Sequence, residues 1–370
     1  MNRKKPLGLG LIGCGAFGQF CMEAYCRLAS VRPAAVSDVR AEAADKLARL
    51  FSVPSEAEAA KLIARGDVDI VHIATPPGTH HELVLQAAKA GKHVLCEKPL
   101  AMNLAQADEM LAAAAQADVI APVNFVLRHN PVTEAVKKII DSGALGKVLA
   151  VSLTNCAADT YLPPEHWFWD RRVSGGILIE HGVHFFDLYS HWLGPGRVIS
   201  AHAETRRGTD QQDRVMCTIR HEGGAVASHY HGFDQFGPMD RTDHRLVCEL
   251  GDIRVSGWVP LTLEIDAAAD DEAAERLSAC CGGCDVETVE VFSSGRPLPS
   301  RGQVRQLKRR VRISYTPQAD KQTLYTQSAQ DLLADQIAYI RDSNHVRRIT
   351  EQNGRDALAL AEAAVELAES

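Results

Sequence analysis

The chain has 370 residues, of which 46% are hydrophobic and 24% are charged, and this favours two ordinary globular domains. Its formal net charge of -7 argues against a dedicated nucleic-acid-binding protein, and no apolar run reaches the length of a membrane-spanning helix. The ten cysteines fit reduced thiols in the cytoplasm better than a disulfide framework.

The first predicted element is a short apolar strand that ends near Ile12 and leads into the turn "GCGAFG", after which apolar residues recur at helical spacing. In a dinucleotide-binding turn of this spacing, three glycines allow the tight turn, the approach of a pyrophosphate, and close helix–strand packing. The helix N-terminus then offers N–H groups to the phosphates. We predict cofactor contacts from Gly13, Gly15, Ala16, Phe17 and Gly18.

The second predicted strand leads to Asp38, which lies 20 residues after Gly18. An acid at this distance accepts hydrogen bonds from the adenosine ribose hydroxyls and favours NAD. Arg40 leaves NADP as an alternative cofactor, because a guanidinium there could pair with a 2′-phosphate. The structural alternative for Asp38 is a turn residue at the end of a strand.

Strands and helices continue to alternate, with further strands predicted over 68–77, 92–100 and 119–127. This alternation predicts a parallel, doubly wound sheet, and such sheets bind ligands at the carboxyl ends of their strands. The further predicted cofactor-binding residues are Thr75, Pro76, His80, Glu97, Lys98 and Asn124.

The sharpest local motif is Glu97-Lys98-Pro99, at the end of one of these strands. A lysine that faces a cofactor cleft can hold a substrate hydroxyl, and its ammonium can stabilise a developing alkoxide. On local sequence alone, a surface lysine at a strand exit is an equally good interpretation.

The stretches "GCGAFG", "IATPPGTHHELVLQAAKAGKHVLCEKPLAMN" and "SGGILIEHGVHFFDLYSHWLG" resemble the glucose–fructose oxidoreductase / inositol dehydrogenase / MocA family, in order, through about residue 195. The resemblance implies an N-terminal Rossmann domain over 1–125. It also implies a C-terminal α/β domain over 126–370, built on a large, open, mostly antiparallel sheet. The implied activity is NAD(P)-dependent hydride transfer at a hydroxyl or carbonyl of a sugar, cyclitol or related polyol. The implied assembly is a homodimer or homotetramer formed through that sheet.

The resemblance also implies roles for individual residues. Lys98 falls on the family's catalytic lysine, and Asn124 falls beside the nicotinamide or the substrate. The family's D-x-G-x-H pattern corresponds here to Glu180 through His184, with glutamate in place of aspartate. Glu180 and His184 are four residues apart and would share one helix face. His184 is the predicted general acid or base, and Glu180 the group that orients it and contacts the substrate.

Other polar and aromatic residues near this helix are predicted to bind the substrate. Trp167, Trp169 and Asp170 could line a sugar site, because aromatic faces stack on sugars and carboxylates accept their hydroxyls. A packed loop is the alternative for this segment. His181 is also predicted to contact the substrate, although on a regular helix its side chain would point about 100° away from that of Glu180. Asp187 is expected to be structural.

No metal site is predicted. Cys281 and Cys284 have the spacing of a zinc or redox pair, but without a convincing second pair the favoured interpretation is free thiols on a glycine-rich loop. His229 and His231 share a strand face and could offer imidazole ligands to a transition metal, although a subunit interface is favoured there. Residues 267–285 look like an additional helix and loop outside the resemblance.

Two other functions fit the same residues. The first is a glycosidase-like or epimerase-like enzyme that oxidises and later reduces its substrate, with no net redox change. The second is a protein that binds NAD(H) and regulates a partner. The presence of both Lys98 and His184 disfavours the regulatory protein, because a sensor has no use for a proton-transfer pair.

Overall fold

The amino-terminal apolar segments form a five-stranded, entirely parallel sheet in the order β3-β2-β1-β4-β5. Its strands are β1 (Leu7–Ile12), β2 (Val31–Ser37), β3 (Ser55–Glu56), β4 (Ile70–Ile73) and β5 (His93–Cys96). The helices that alternate with them are α1 (Ala16–Tyr25), α2 (Ala41–Phe51), α3 (Ala59–Ile63), α4 (His80–Lys89) and α5 (Leu104–Gln116). The five residues of β1 after Leu7 are all buried, as expected for the central strand of a parallel sheet. The predicted doubly wound sheet is confirmed.

The strand predicted over 119–127 is wrong as a strand, because only Val123 forms a bridge, with Cys96 of β5. The Pro122 carbonyl accepts a hydrogen bond from the Cys96 N–H at 3.0 Å, and the Asn124 N–H donates to the Cys96 carbonyl at 2.8 Å. Pro122 has no N–H to donate, so a continuous ladder cannot form. The segment nevertheless runs beside β5 and brings Asn124 next to the end of that strand.

A second, nine-stranded sheet has the order β13-β16-β12-β11-β10-β6-β9-β8-β7, and its pairs are antiparallel except for β6 with β9. Its strands are β6 (Val148–Ala158), β7 (Gly196–Thr205), β8 (Gln212–His221), β9 (Val226–Gln235), β10 (Arg241–Cys248), β11 (Gly251–Ser256), β12 (Thr262–Ala269), β13 (Asp285–Val291) and β16 (Arg309–Tyr315). The short strands β14 (Leu298–Ser300) and β15 (Gln303–Arg305) pair separately. The predicted large, mostly antiparallel sheet is confirmed.

The remaining helices are α6 (Pro131–Ser142), α7 (Arg171–Ser174), α8 (Val183–Leu193), α9 (Asp271–Cys280), α10 (Lys321–Arg341) and α11 (Glu351–Glu369). The start of helix α6 follows from local chemistry, because the Asn130 side chain accepts a hydrogen bond from the Val132 N–H and proline occupies the first helical position. The helix ends at Gly143, whose φ of 66° is left-handed. Among the described residues, none of the helices is both long and apolar enough to cross a bilayer.

The two faces of the nine-stranded sheet differ. His229 and His231 lie on one face of β9 and are buried, as their spacing predicts. The Tyr189 ring packs 4.7 Å from the His229 ring, which makes these histidines part of a packed layer. On the opposite face, His202, Met216 and Tyr230 stand in register on β7, β8 and β9, and Met216 is 42% exposed.

The structure is a computed structural model that describes residues 5–160, 162–206, 209–292, 298–300 and 303–370. They form two compact units, neither of them continuous in sequence. The first unit contains the chain to Val126 together with Pro164–Asp187 and Tyr325–Val365, and the second contains Leu127–Pro163, Leu188–Leu324 and Glu366–Ser370. Two segments of the predicted 126–370 domain are thus part of the first unit. The division of the chain at residue 125 stays a prediction.

The segment 267–285 contains the end of β12, all of α9 and the glycine-rich loop. All ten cysteines are free thiols, including Cys280, Cys281 and Cys284. Cys281 is buried, and burial raises the pKa of its thiol to about 12. A thiol with so high a pKa is a poor nucleophile at neutral pH. The choice of free thiols over a zinc or redox pair on this loop stays a prediction.

Candidate active site

The glycine turn after β1 is enforced by close backbone contacts. Gly13 has a φ of +100°, and a Cβ atom there would lie 2.3 Å from the Ala74 carbonyl oxygen. A Cβ at Gly18 would lie 2.1 Å from the Gly13 carbonyl oxygen. Both positions therefore require glycine, which lets the start of α1 pack on the end of β1.

The middle glycine is different, because a Cβ at Gly15 would meet no protein atom within 4 Å. Gly15 is the N-cap of α1, and neither a side-chain cap nor an acidic residue occupies the first turn. Ala16 and Phe17 beside it are exposed. The N–H groups at a helix N-terminus that carries no acid attract anions. This open cradle therefore fits the pyrophosphate of a dinucleotide.

Asp38, directly after β2, is fixed against the glycine turn. Its Oδ2 accepts a hydrogen bond from the Cys14 N–H at 2.7 Å, and its Oδ1 accepts one from the Arg40 N–H at 2.8 Å. Burial alone would raise the pKa of Asp38, but these hydrogen bonds outweigh it and lower that pKa. The Arg40 side chain is 68% exposed, and its Nε lies 3.4 Å from the Asp38 Oδ1. Asp38 is thus an ionised acceptor at the turn, where the ribose of a bound dinucleotide is expected.

His80 connects the loops that follow β4 and β5. It is fully buried, its Nδ1 lies 2.8 Å from the Pro99 carbonyl oxygen, and its Nε2 lies 2.9 Å from the Thr75 carbonyl oxygen. Burial lowers the pKa of His80, and a neutral imidazole has one N–H for these two acceptors. Pro76 is exposed beside them. His80 holds the loops that carry the site, and its own contact with a cofactor stays a prediction.

Lys98 meets Glu180 although 82 residues separate them in sequence. The Lys98 ammonium donates one hydrogen bond to the Glu180 carbonyl oxygen at 2.9 Å and another to the carboxylate Oε1. The two side chains are 17% and 10% exposed, so the pair is largely shielded from solvent. The sequence predicts functional roles for both residues, but it predicts a contact of Glu180 only with His184.

The helix that carries Glu180 departs from the predicted geometry. Residues Leu178–Gly182 form a π-helical turn, and α-helix follows only from Val183. The shared face predicted for Glu180 and His184, and the angle predicted for His181, assumed 3.6 residues per turn, which a π turn does not have. Glu180 and His184 are both buried, and the His181 ring lies 6.0 Å from the His184 ring. Such turns occur frequently at functional sites.

Gly182 and Asp187 are two further residues of this helical segment. A Cβ at Gly182 would lie 3.0 Å from the Phe186 ring, so this glycine makes room for a side chain of its own helix. Asp187 is buried, in keeping with the structural role expected for it. The His184 ring packs edge-on against Phe125, with 6.3 Å between ring centroids.

The aromatic segment before α7 is mostly packed. Trp169 is buried and packs edge-on against Phe168 at 5.0 Å. The Asp170 carboxylate caps α7 by accepting the Arg172 N–H at 3.0 Å, and it also pairs with the Arg172 guanidinium. Trp167 is partly exposed and is the most available of the three predicted residues. Their contact with a substrate stays a prediction.

Sequence reasoning missed a buried polar cluster behind Lys98. The Asn124 amide donates to the Glu97 carboxylate at 2.6 Å, and His72 Nε2 lies 3.5 Å from the same oxygen, Oε1. Tyr25 donates to the Asn124 Oδ1 at 3.4 Å. The available signal was a histidine at the centre of the apolar strand "IVHI", where a polar side chain requires a reason.

Together, the parallel sheet, the glycine turn, the acid after β2 and a lysine–carboxylate pair at a strand exit define an oxidoreductase of the NAD-binding Rossmann class. The chain belongs to the GFO/IDH/MocA family. The family's NAD-binding Rossmann model matches residues 7–125, and its C-terminal domain model matches residues 133–254.

Curated relatives are similar over part of the chain. Myo-inositol 2-dehydrogenase of Thermotoga maritima is 33% identical over 50% of this chain and 54% of that protein. Levoglucosan dehydrogenase of Pseudarthrobacter phenanthrenivorans is 29% identical over 60% of this chain and 66% of that protein. The chain thus spans little more than half to two thirds of these relatives' length.

Solved structures match nearly the whole chain. Levoglucosan dehydrogenase in complex with NADH and L-sorbose superimposes with a TM-score of 0.78 at 23% identity, over 99% of this chain and 97% of that one. An oxidoreductase from Agrobacterium radiobacter in complex with NAD+, L-tartaric acid and magnesium gives a TM-score of 0.74 at 21% identity, over 98% and 96%. At these identities the comparison establishes the shared fold.

Proposed function

We propose that this protein is an NAD-dependent dehydrogenase that transfers a hydride between the nicotinamide and a CH–OH group of a sugar, cyclitol or related polyol. The observation that carries the proposal is the shielded Lys98–Glu180 pair at the carboxyl edge of the parallel sheet. The names of the curated relatives, which are dehydrogenases of inositol and levoglucosan, support the substrate class.

The chain's residues divide the chemistry between them. The bound nicotinamide supplies the hydride acceptor or donor. Lys98 donates a hydrogen bond to the reacting oxygen and stabilises the negative charge that develops on it. Glu180 fixes the ammonium through its carbonyl oxygen and Oε1, which leaves Oε2 to accept a neighbouring substrate hydroxyl. His184 takes up the hydroxyl proton during oxidation and returns it during reduction.

The preference for NAD over NADP rests on Asp38. Its ionised carboxylate accepts ribose hydroxyls and repels a 2′-phosphate, and the exposed Arg40 makes only a 3.4 Å contact with it. We assign the protein to the cytoplasm because its ten cysteines are free thiols. The proposed assembly is a homodimer or homotetramer through the exposed face of the nine-stranded sheet, where Met216 is the largest exposed apolar side chain of β8.

The function is tested with the purified chain, NAD+ or NADP+, and a panel of sugars and cyclitols, with nicotinamide reduction as the readout. Lys98→Ala should keep NADH binding, measured by fluorescence, and lose about 10²–10⁴-fold in kcat/KM. Lys137→Ala is the matched control, because that lysine pairs with Asp141 on an exposed face of α6. Equal turnover by wild type and Lys98→Ala would exclude the proposed role of Lys98.

A further inference from the structure

Four ionisable side chains meet in the interior of the first unit, behind Lys98. Cys21 and Tyr25 come from α1, His72 from β4, and Glu97 from the residue that follows β5. Cys21, Tyr25 and His72 are essentially inaccessible, and Glu97 is 6% exposed. One ligand atom each of Cys21, His72 and Glu97 lies within 4.8 Å of the others. We call these four residues the Glu97 enclosure.

Three members of the Glu97 enclosure are held neutral near pH 7. Burial raises the pKa of the Cys21 thiol well above its ordinary value, and the Glu97 charge raises it further. Burial also raises the pKa of Tyr25, and it lowers the pKa of His72 to about 3. A buried group changes charge at neutral pH only if its environment partly compensates for the lost hydration. None of these three meets that condition.

Glu97 does meet it. Burial raises its pKa to about 7, and the Asn124 hydrogen bond and the Lys98 charge keep that pKa from rising further. The enclosure therefore holds one exchangeable proton near neutral pH, on the residue directly before Lys98. The other groups that face Glu97 are Cys96 of β5, Glu180 on the π-helical turn and Tyr325 of α10.

We propose that Glu97 is a positioning residue that controls the charge balance around Lys98 by taking up and releasing this proton, and that His72 tunes the exchange. When Glu97 is ionised, its negative charge stabilises the Lys98 ammonium, in addition to the hydrogen bonds that the ammonium donates to Glu180. When Glu97 is protonated, only Glu180 remains. This inference rests on the proposed function, because it concerns the work that Lys98 does there.

His72 is the neighbour that distinguishes this enclosure from a simple buried carboxyl. Its ring is fully buried, packs edge-on against Tyr25 at 5.4 Å, and presents Nε2 to Glu97 Oε1 at 3.5 Å. Phenylalanine would keep the ring contact and remove the polar neighbour. A less polar surrounding disfavours the carboxylate, so His72→Phe should raise the pH at which Glu97 ionises by about one unit.

The first experiment observes the proton directly. Infrared difference spectra of the full chain, recorded between pH 5 and pH 9 (roughly two units on either side of neutrality), should show a buried carboxylic acid band that disappears as pH rises. Glu97→Gln should remove this band, and His72→Phe should move its midpoint upward. If Glu97→Gln leaves the band unchanged, or if no such band exists, Glu97 does not exchange a proton and the inference is wrong.

The second experiment tests the coupling to Lys98 through the pH profile of kcat/KM. His72→Phe should shift the acid limb upward by about one pH unit in the wild-type background and leave it unshifted in the Glu97→Gln background. His93→Phe is the matched control, since His93 lies at the opposite end of β5 and binds the Ile120 N–H, and it should not move the limb. An equal shift in both backgrounds would show that His72 acts without Glu97.

The outcomes separate this inference from the proposed function. If Lys98→Ala is inactive while Glu97→Gln and His72→Phe keep the wild-type profile, the proposed function stands and the inference fails. Stoichiometric metal in the purified chain, lost in Cys21→Ser, would also overturn it, because Cys21, His72 and Glu97 would then be ligands. If Lys98→Ala is fully active, the proposed function fails and the infrared titration alone decides the proton exchange.

Discussion

Lys98 donates hydrogen bonds to both the main-chain carbonyl and the side-chain carboxylate of Glu180, so that the lysine is held by one residue through two different groups. Glu180→Gln leaves the main-chain carbonyl in place and removes the carboxylate. The two contributions to the position and charge of Lys98 can therefore be separated by mutation.

Glu180→Gln should lower kcat/KM by about 10–100-fold, because one charge-assisted hydrogen bond to Lys98 is lost while the carbonyl contact remains. NADH binding should change little, since Glu180 does not belong to the glycine turn. Steady-state kinetics with a substrate found in the panel, together with fluorescence titration, measures both effects. A loss of NADH binding that accounts for the whole decrease in kcat/KM would contradict this expectation.

Gly15→Ala should weaken NADH binding without lowering the melting temperature. A Cβ at Gly15 meets no protein atom within 4 Å, so the methyl group obstructs only what binds there. Gly18→Ala should lower stability as well, because its Cβ would lie 2.1 Å from a carbonyl oxygen. Thermal melts and NADH titrations of the two variants provide the comparison, and equal binding losses with unchanged melts would contradict it.

Asp38→Ala should reduce the ratio of NAD to NADP affinity, because the ribose acceptor and the charge that repels a 2′-phosphate are removed together. The exposed Arg40 then becomes available to a phosphate. Fluorescence titrations with NADH and NADPH give the two dissociation constants. A wild-type preference for NADPH would instead show that Asp38 serves only as a turn residue.

Glu97 and His72 should have opposite effects on the pH dependence of stability. Glu97 binds its proton more tightly in the folded state, at a pKa of about 7 against an ordinary 4.5, so it lowers the unfolding free energy as pH rises from 4.5 to 7. His72 binds its proton less tightly when folded, at about 3 against 6.5, so it lowers stability as pH falls from 6.5 towards 3.

Each effect amounts to a few kcal/mol, at about 1.4 kcal/mol per pKa unit. Glu97→Gln should therefore remove the destabilising contribution of Glu97, so that the free energy of unfolding rises more with pH between 4.5 and 7 than it does in wild type, where Glu97 and His72 oppose each other. Urea unfolding at successive pH values measures this difference, with Lys137→Ala on an exposed face of α6 as a control that keeps both Glu97 and His72. If wild type and Glu97→Gln respond identically across this range, Glu97 is not titrating there.

Met216→Glu should dissociate an assembly that uses the exposed face of the nine-stranded sheet. Met216 is 42% exposed and stands between His202 and Tyr230 of the neighbouring strands. A charge at the centre of a buried interface is costly without a partner. Light scattering coupled to size exclusion should show a smaller species, and an unchanged mass would place the interface elsewhere.

Local sequence predicted the elements that depend on neighbours in the chain. The strand before Gly13 and the glycine turn both follow from short-range chemistry. Lys98 and Asp38 were predicted correctly as residues at strand ends, because the alternation of strands and helices determines which edge of the sheet they reach.

The sequence did not reveal what depends on distant contacts. The strand predicted over 119–127 fails at Pro122, whose missing N–H outweighs the apolar pattern around it. The π-helical turn at Glu180 is invisible to a period of 3.6, and the contact with Lys98 joins segments 82 residues apart. The partnership of His72 with Glu97 likewise required the register of β4 beside β5.

The discontinuity of the first unit has a consequence for the order in which the protein is made. The unit that carries the glycine turn and Lys98 also includes Tyr325–Val365, where Glu351 accepts the Ala121 N–H at 3.0 Å and Arg355 pairs with Asp108. During synthesis, every strand of the nine-stranded sheet leaves the ribosome before these contacts can form. The unit that starts first along the chain is therefore completed only after the whole nine-stranded sheet has been made, and the contact between Lys98 and Glu180 forms only after 82 further residues have been translated.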